Sequence, residues 1–280
     1  MSLENNSIDL LFIANKPSIA RIVEEAGIDY FFIDLEKNGK DQRQNNMDTV
    51  KSNHCFYDIK AVRPFLKNSK LLVRINPFYE GTRDEVELAI KNGADSIMLP
   101  MFERSTEVCN FISYVNGRAE TFLLVETKKA VENLPDILSL GGIDRIHIGL
   151  NDLHLQLKKK FMFELITDGT VDKIIDDIRR LRPDIKYGLG GVSRIGDGTL
   201  PATNILAYHF LRGSKSVILS RNFCDLRKVS DEEARTVLMD GVRKLRDFYS
   251  SLNSKDSRYF ADVLLQTKEI VKKIAEGNHV

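Results

Sequence analysis

The feature that most constrains this chain is a repeated pattern of short apolar runs. Runs rich in β-branched and aromatic residues recur at 8–13, 30–35, 71–75, 96–99, 122–125, 145–150, 185–189 and 216–219. Each is nearly continuous in hydrophobicity and too short for a helix. This is the pattern of a strand buried on both faces of a parallel sheet. Helical spacing of apolar residues fills most of the intervals, at 18–26, 82–91, 105–114, 130–140, 171–181, 201–211 and 231–249. Ser18 and Ser105 stand where N-caps belong, and the 82–91 helix is expected to turn Val86, Leu88, Ala89 and Ile90 inward. The interval 38–60 is polar and weakly patterned, so it predicts a long loop with a helix only at 57–66. Gly27-Ile28-Asp29, Gly93-Ala94-Asp95 and Gly142-Ile143-Asp144 each close a helix and open a strand, and Gly213-Ser214-Lys215 takes the same place before the last run. A glycine there supplies the left-handed residue that ends a helix before a short αβ turn. Eight such units predict a (β/α)8 TIM barrel. An open doubly wound sheet shares the local signals, and the strand count is what separates the two.

At about 150 residues per domain, 280 residues allow two domains, but barrels of this kind reach that length as one. The expected division is a barrel catalytic domain over 1–250 and a helical extension over 251–280. Within the extension, Ala261, Val263, Leu264, Leu265, Ile270, Val271 and Ile274 lie at amphipathic spacing along 256–275. That helix is expected to pack across the barrel bottom or onto a neighbouring subunit. A homo-oligomer is therefore expected, and a monomer in sedimentation would contradict it. Lys and Arg total 41 against 40 Asp and Glu, which lacks the basic excess of many nucleic-acid binders. No apolar run approaches the roughly 18 residues of a membrane span, and no basic segment leads into a long apolar stretch at the start. Cys55, Cys109 and Cys224 form no CxxC pair, which argues against a zinc knuckle or thioredoxin-type site. They read as reduced thiols of a cytoplasmic protein.

In a barrel the chemistry belongs at the C-terminal ends of the strands. There the second run ends in Asp34-Leu35-Glu36-Lys37, the third carries Arg74 and Asn76, and the fifth ends in Glu126-Thr127. The sixth ends in Gly149-Leu150-Asn151-Asp152, the seventh runs into Gly190-Gly191, and the eighth ends in Ser220-Arg221. Glu126 and Asp152 are expected at matching height on adjacent strands, about 4.8 Å apart, where two carboxylates can share one Mg²⁺ or Mn²⁺. The plainer alternative is that Asp152 and Thr127 cap the segments that follow. Arg74 inside an apolar strand needs an anion. Asp34 or Glu36 can supply it, and so can a substrate carboxylate or enolate oxygen; Asn151 is a second candidate for substrate binding. His147 reads as a structural histidine, and His154 is the better-placed imidazole. The lysine run 158–160 reads as a solvated loop or a contact for a charged ligand.

AGIDYFFIDLEKNG (26–39), NGADSIMLPM (92–101), FLLVETKKAVENLPDI (122–137) and IDRIHIGLNDL (143–153) resemble, in content, order and spacing, the HpcH/HpaI aldolase and citrate lyase β-subunit family. The resemblance runs over 11–223. It implies a TIM barrel that cleaves or forms carbon–carbon bonds with a divalent metal, on a 2-oxo acid such as pyruvate with an aldehyde, or on an acyl-CoA thioester. By the same resemblance Glu126 and Asp152 are the metal ligands, Arg74 binds substrate, and Asp34 and Glu36 are the acidic pair of strand two. The implied metal holds the keto oxygen and carboxylate and stabilises the enolate, with Arg74 adding charge where the oxyanion develops. Two departures stand out. The family's pyruvate aldolases place a proton-transferring His where this chain has Lys37, which would act as a base only after losing its proton. The segment after Asp152 reads His154-Leu155-Gln156-Leu157-Lys158 in place of small residues. Three functions follow as expectations: a metal-dependent oxo-acid lyase, an acyl-CoA lyase with Lys37, Lys128, Lys129 or 158–160 at its rim, or a barrel that only binds metal and ligand.

Overall fold

The structure is a computed structural model that describes residues 7–39 and 53–277. Of the polar interval 38–60, residues 40–52 therefore lie outside the described residues. Eight strands close into a barrel in sequence order: β1 (Asp9–Ile13), β2 (Tyr30–Asp34), β3 (Lys70–Arg74), β4 (Ser96–Leu99), β5 (Glu120–Val125), β6 (Arg145–Ile148), β7 (Lys186–Val192) and β8 (Ser216–Leu219). All neighbours are parallel, and β8 returns to β1. The described helices are α1 (Pro17–Glu25), α2 (Phe56–Val62), α3 (Thr82–Lys91), α4 (Ser105–Val115), α5 (Lys128–Glu132), α6 (Leu134–Leu138), α7 (Leu150–Gln156), α8 (Glu164–Thr167), α9 (Thr170–Leu181), α10 (Ala202–Arg212), α11 (Asp231–Ser251) and α12 (Ser257–Ala275). The fold is the (β/α)8 TIM barrel with an added C-terminal helix.

Alternation along each strand divides the apolar residues between two layers. Leu11, Tyr30, Phe32, Leu72, Met98, Phe122 and Leu124 fill the barrel, while Leu10, Phe31, Val73, Ile97, Leu123 and Ile146 pack outward in the large core shared with the helices. The Gly-x-Asp repeat has a second purpose that its turn geometry alone does not reveal. Asp29 accepts the backbone N–H of Leu10 (2.7 Å), Asp95 that of Leu71 (2.8 Å) and Asp144 that of Thr121 (2.8 Å). Each aspartate thus ties the entry of its strand to the strand before it. The barrel bottom is closed by Glu120, which accepts from Tyr30 Oη, Ser96 Oγ and Arg145 Nε at 2.9, 2.7 and 3.0 Å. Arg145 also pairs with Asp9 at 2.7 Å and stacks over the Tyr30 ring.

Local chemistry moves several predicted boundaries. The 130–140 helix is broken at Asn133, because Pro135 opens α6 and cannot continue α5. Pro64 likewise ends α2 early, in a 3-10 turn over Arg63–Phe65. Ser18 does not cap α1, since Lys16 holds that position and Pro17 opens the helix. Ser105 is likewise inside α4, whose start is held by Glu107 accepting the N–H groups of Glu103 and Arg104. In α3, Leu88 points out at 44% exposure and Glu85 takes the inward place at 6%. The Gly190-Gly191 pair belongs to a bulge where β7 shifts register against β8. The C-terminal helix α12 packs against α8 and α10 of its own barrel. There Phe260 stacks on Phe210 at 5.5 Å, and Asn204 donates to Thr267 Oγ1 at 3.0 Å.

Two buried imidazoles make stability pH-dependent. His147 donates Nε2–H to Gly190 O at 3.1 Å, and its Nδ1 has no partner. Burial, against the Gly190 bond and aided by Arg74, pushes its pKa down to about 4. His209 is bonded to Ser214 Oγ at 2.8 Å, and burial with nearby His147 pushes it down to about 3. Both rings charge near 6.5 when unfolded, so their contribution is complete above that pH and is lost as pH falls towards the folded values. Each ring then costs about 1.4 kcal/mol per pH unit. Urea denaturation at pH 7 and pH 5 should show a fall of about 3–4 kcal/mol, reduced in His147→Gln. Equal stability at the two pH values would contradict this.

Candidate active site

Asp34 and Arg74 end neighbouring strands and are paired in register. Arg74 Nε donates to Asp34 Oδ1 at 2.9 Å and Nη2 to Oδ2 at 2.8 Å. Glu36 Oε2 adds an ion pair to Nη2 at 3.4 Å, and the guanidinium lies over the Phe32 ring at 5.6 Å. Burial opposes the charge on Arg74, but Asp34 and Glu36 outweigh it, so its pKa rises further. The ion pair anticipated inside the barrel is therefore present. It uses the Nε–Nη2 edge; Nη1 makes no hydrogen bond to a described residue. The Arg74 side chain keeps 14% of its surface exposed, against 3% for Asp34 and 4% for Glu36.

The loop after β2 is held from several sides. Glu36 N–H returns to Asp34 Oδ1 at 3.2 Å. Asn76 Oδ1 accepts Lys37 N–H and Asn38 N–H at 2.8 and 3.0 Å. Asn76 is itself fixed by Glu85, which takes its backbone N–H (2.9 Å), its Nδ2 (2.6 Å) and Tyr79 Oη (2.9 Å). The Lys37 side chain ends on the exposed side of this loop. Asp34 N–H donates to Nδ1 of the buried His54 at 3.0 Å. The spacing of α3 hid Glu85, and His54 lies in the unpatterned interval, so neither was singled out from sequence.

Glu126 is the first residue past β5 and is 3% exposed. Its Oε1 accepts the N–H of Met101, a residue in the left-handed conformation (φ 54°). Gly149 leaves room for the other oxygen: a Cβ there would stand 2.8 Å from Glu126 Oε2. Asp152 is not on a strand at matching height. β6 stops at Ile148, Val125 pairs with Ile148, and Asp152 is the third residue of α7. It is half-buried, and Asn151 beside it is exposed. Thr127 does cap, accepting Ala130 N–H at 2.9 Å and donating to Phe102 O at 2.8 Å. His154 turns away, its Nδ1 bonded to Leu150 O at 3.0 Å.

Among the described residues no group of three or more His, Cys, Asp or Glu is placed to hold a metal. Glu126 and Asp152 offer hard oxygen donors, and Gly149 gives the Glu126 side chain its room, since a Cβ there would stand 2.8 Å from both Glu126 Cβ and Oε2. Two carboxylates suit an ion such as Mg²⁺, which takes few protein ligands and completes its shell with water and substrate. The residues fit such an ion.

A family model, HpcH/HpaI aldolase/citrate lyase, matches residues 9–163, more than half of the chain. The chain belongs to this family. The matched stretch carries every strand-end residue described above from Asp34 to Asp152. Several solved structures share its architecture at low identity. An HpcH/HpaI aldolase from Desulfitobacterium hafniense DCB-2 is 20% identical with a TM-score of 0.56, covering 83% of this chain and 93% of its own. A citrate lyase from Burkholderia xenovorans LB400 is 13% identical with a TM-score of 0.57, covering 100% and 95%. Citrate synthase SbnG is 15% identical with a TM-score of 0.58, covering 77% and 86%. At such identities the likeness speaks for the fold alone. No curated protein matches the chain in sequence.

Replacing Arg74 by Met removes the guanidinium that the buried carboxylates of Asp34 and Glu36 both meet. That is expected to destabilise the HpcH/HpaI barrel by about 3–5 kcal/mol, measured by urea denaturation at pH 7. A loss below about 1 kcal/mol, the worth of a surface pair, would contradict the buried-pair assignment.

Proposed function

We propose that this protein is a divalent-metal-dependent carbon–carbon lyase of the aldolase type, cleaving or forming a bond next to the carbonyl of a 2-oxo acid such as pyruvate, with an aldehyde as the other fragment. The observation that carries this is the orientation of Arg74. Its Nε–Nη2 edge is held by Asp34, while Nη1 is left for a ligand at the end of the barrel where such enzymes work. When the bond breaks, its electron pair passes to the 2-oxo oxygen, and Arg74 Nη1 offers a charge-assisted hydrogen bond where that charge grows. Asp34 and Glu36 act through Arg74 by fixing its fork. Glu126 and Asp152 would hold Mg²⁺ or Mn²⁺, which when bound supplies Lewis-acid stabilisation of the developing negative charge. Asn151, exposed beside Asp152, suits a contact to the substrate rim. Lys37 is exposed, and its ammonium fits an anionic substrate group at the rim better than proton transfer in the interior.

The acyl-CoA reading keeps part of its support. Lys129 is paired with Glu103 at 2.6 Å and Lys128 with Glu132 at 3.6 Å. Lys158 and Lys160 line an open cleft with Lys268 and Lys272, where the phosphates of a CoA thioester would meet cations but also the carboxylates of Glu164, Asp168 and Glu276. Cys55 and Cys109 are exposed free thiols, which suits the reducing cytoplasm, and no described helix is long and apolar enough to cross a membrane.

A metal-replete assay tests the function. Pyruvate and oxaloacetate are followed in both directions across an aldehyde panel, with an acyl-CoA arm. Glu126→Ala and Asp152→Ala are each expected to lower kcat/KM by about 10³-fold, the equivalent of about 4 kcal/mol of lost stabilisation. Gly149→Ala is expected to weaken Mn²⁺ binding at least tenfold while leaving the barrel folded. Wild-type turnover untouched by the first two changes would refute the metal assignment.

A further inference from the structure

Among the described residues, Met101, Asn116 and Lys158 are the non-glycine residues with positive φ. Asn116 ends α4 and Lys158 follows the end of α7, where a left-handed residue is ordinary. Met101, at φ 54°, follows a strand instead. Its side chain lacks the short polar group that lets Asn or Asp adopt this conformation readily. Such a residue persists only where its surroundings fix the chain on both sides.

Both sides are fixed here. β4 ends at Leu99 and Pro100 has no N–H, so Met101 carries the first backbone donor past the strand. It donates to Oε1 of Glu126 at 3.2 Å. Immediately beyond it, Phe102 is buried at 1% exposure. The Phe102 carbonyl accepts from Thr127 Oγ1 at 2.8 Å, and the Glu103 carbonyl accepts from Asn133 Nδ2 at 2.8 Å. The peptide plane before Met101 sets where its N–H points, and φ sets where the chain goes from there. A left-handed φ is what joins an N–H aimed at Glu126 to a Phe102 seated in the core. At a negative φ one of the two is lost.

We propose that Met101 is a positioning residue of the candidate cation site, its left-handed backbone holding the Glu126 carboxylate by Oε1 in the orientation that a divalent cation meets. The role rests on the reading of Glu126 as a cation ligand. It belongs to the backbone, and the thioether has no part in it. Glycine should therefore stand in for Met101, whereas a β-branched residue, for which a positive φ is most costly, should not.

Mn²⁺ binding, read from the electron paramagnetic resonance signal of the free ion, tests this, with folding followed by circular dichroism. Met101→Val should raise the Kd at least about tenfold, the usual cost of losing a hydrogen bond to a metal-ligating group. Met101→Gly should keep the Kd within about twofold of wild type, since glycine takes the same φ freely. In protein labelled with ¹⁵N-methionine, the Met101 amide is the signal that Met101→Gly removes. It should move when Mg²⁺ is added, and it should shift upfield in Glu126→Ala, which takes away its acceptor. Wild-type Kd in a folded Met101→Val, an equal loss in Met101→Gly, or an amide indifferent to Glu126→Ala overturns the role. A Met101→Val that does not fold leaves the decision to the glycine variant and the amide signal. Absence of Mn²⁺ binding by the wild type, with the amide shift in Glu126→Ala intact, overturns the cation reading of Glu126 itself, and the role with it.

Discussion

A guanidinium cannot be buried at the end of an apolar strand unless anions meet it there, and Arg74 organises the barrel mouth for that reason. Asp34 answers it with two hydrogen bonds at 2.9 and 2.8 Å and Glu36 with an ion pair at 3.4 Å. The chain must curl tightly after β2 to bring both acids to one cation, and the Glu36 N–H bond to Asp34 closes that curl. Asn76 and Glu85 then hold the loop from the side of β3 and α3, and His54 holds it from the side of α2. Stability and chemistry are joined here, because the groups that keep Arg74 buried also aim it.

The two ends of the barrel use arginine differently. At the bottom, Arg145 lies among Glu120, Asp9 and the Tyr30 ring, with Ser96 and Tyr30 completing the bonds to Glu120. Burial opposes the charge on Glu120, yet Arg145 and these hydroxyls hold it below the usual carboxylate range. The result is a closed plug of the kind expected where a barrel needs stability. At the top, the Arg74 fork is satisfied on one edge only, and Glu126 sits nearby in a space that Gly149 keeps clear. A guanidinium enclosed among its partners stabilises the bottom, whereas one with an edge left open at the mouth can take a ligand.

Much of this was legible in the residues. Continuous apolar runs with Gly-x-Asp entries specify parallel strands, and an arginine inside such a run demands a carboxylate partner, so Asp34, Glu36 and Arg74 could be grouped before their contacts were known. What escaped was whatever depends on positions off the strands. Asp152 sits in α7 because β6 ends at Ile148, a boundary that apolar character alone does not mark. Glu85 occupies an inward place in α3 that periodicity gave to Leu88, since a buried acid with three donors satisfies the core as well as a leucine does. His54 lies in an interval with no period, and only its bond to Asp34 N–H gives it a place. The docking of α12 on α10 depends on the Phe210–Phe260 stack, whose partners lie far apart in sequence.

The central claim is that Glu126 and Asp152, through one bound cation, and Arg74 serve one small anionic substrate. Anomalous scattering from crystals grown with Mn²⁺ and pyruvate tests it most directly. The account predicts one Mn²⁺ on Glu126 and Asp152, with the pyruvate carboxylate or oxo oxygen within hydrogen-bond reach of Arg74 Nη1. Manganese bound elsewhere, or pyruvate seated away from Arg74, would contradict it.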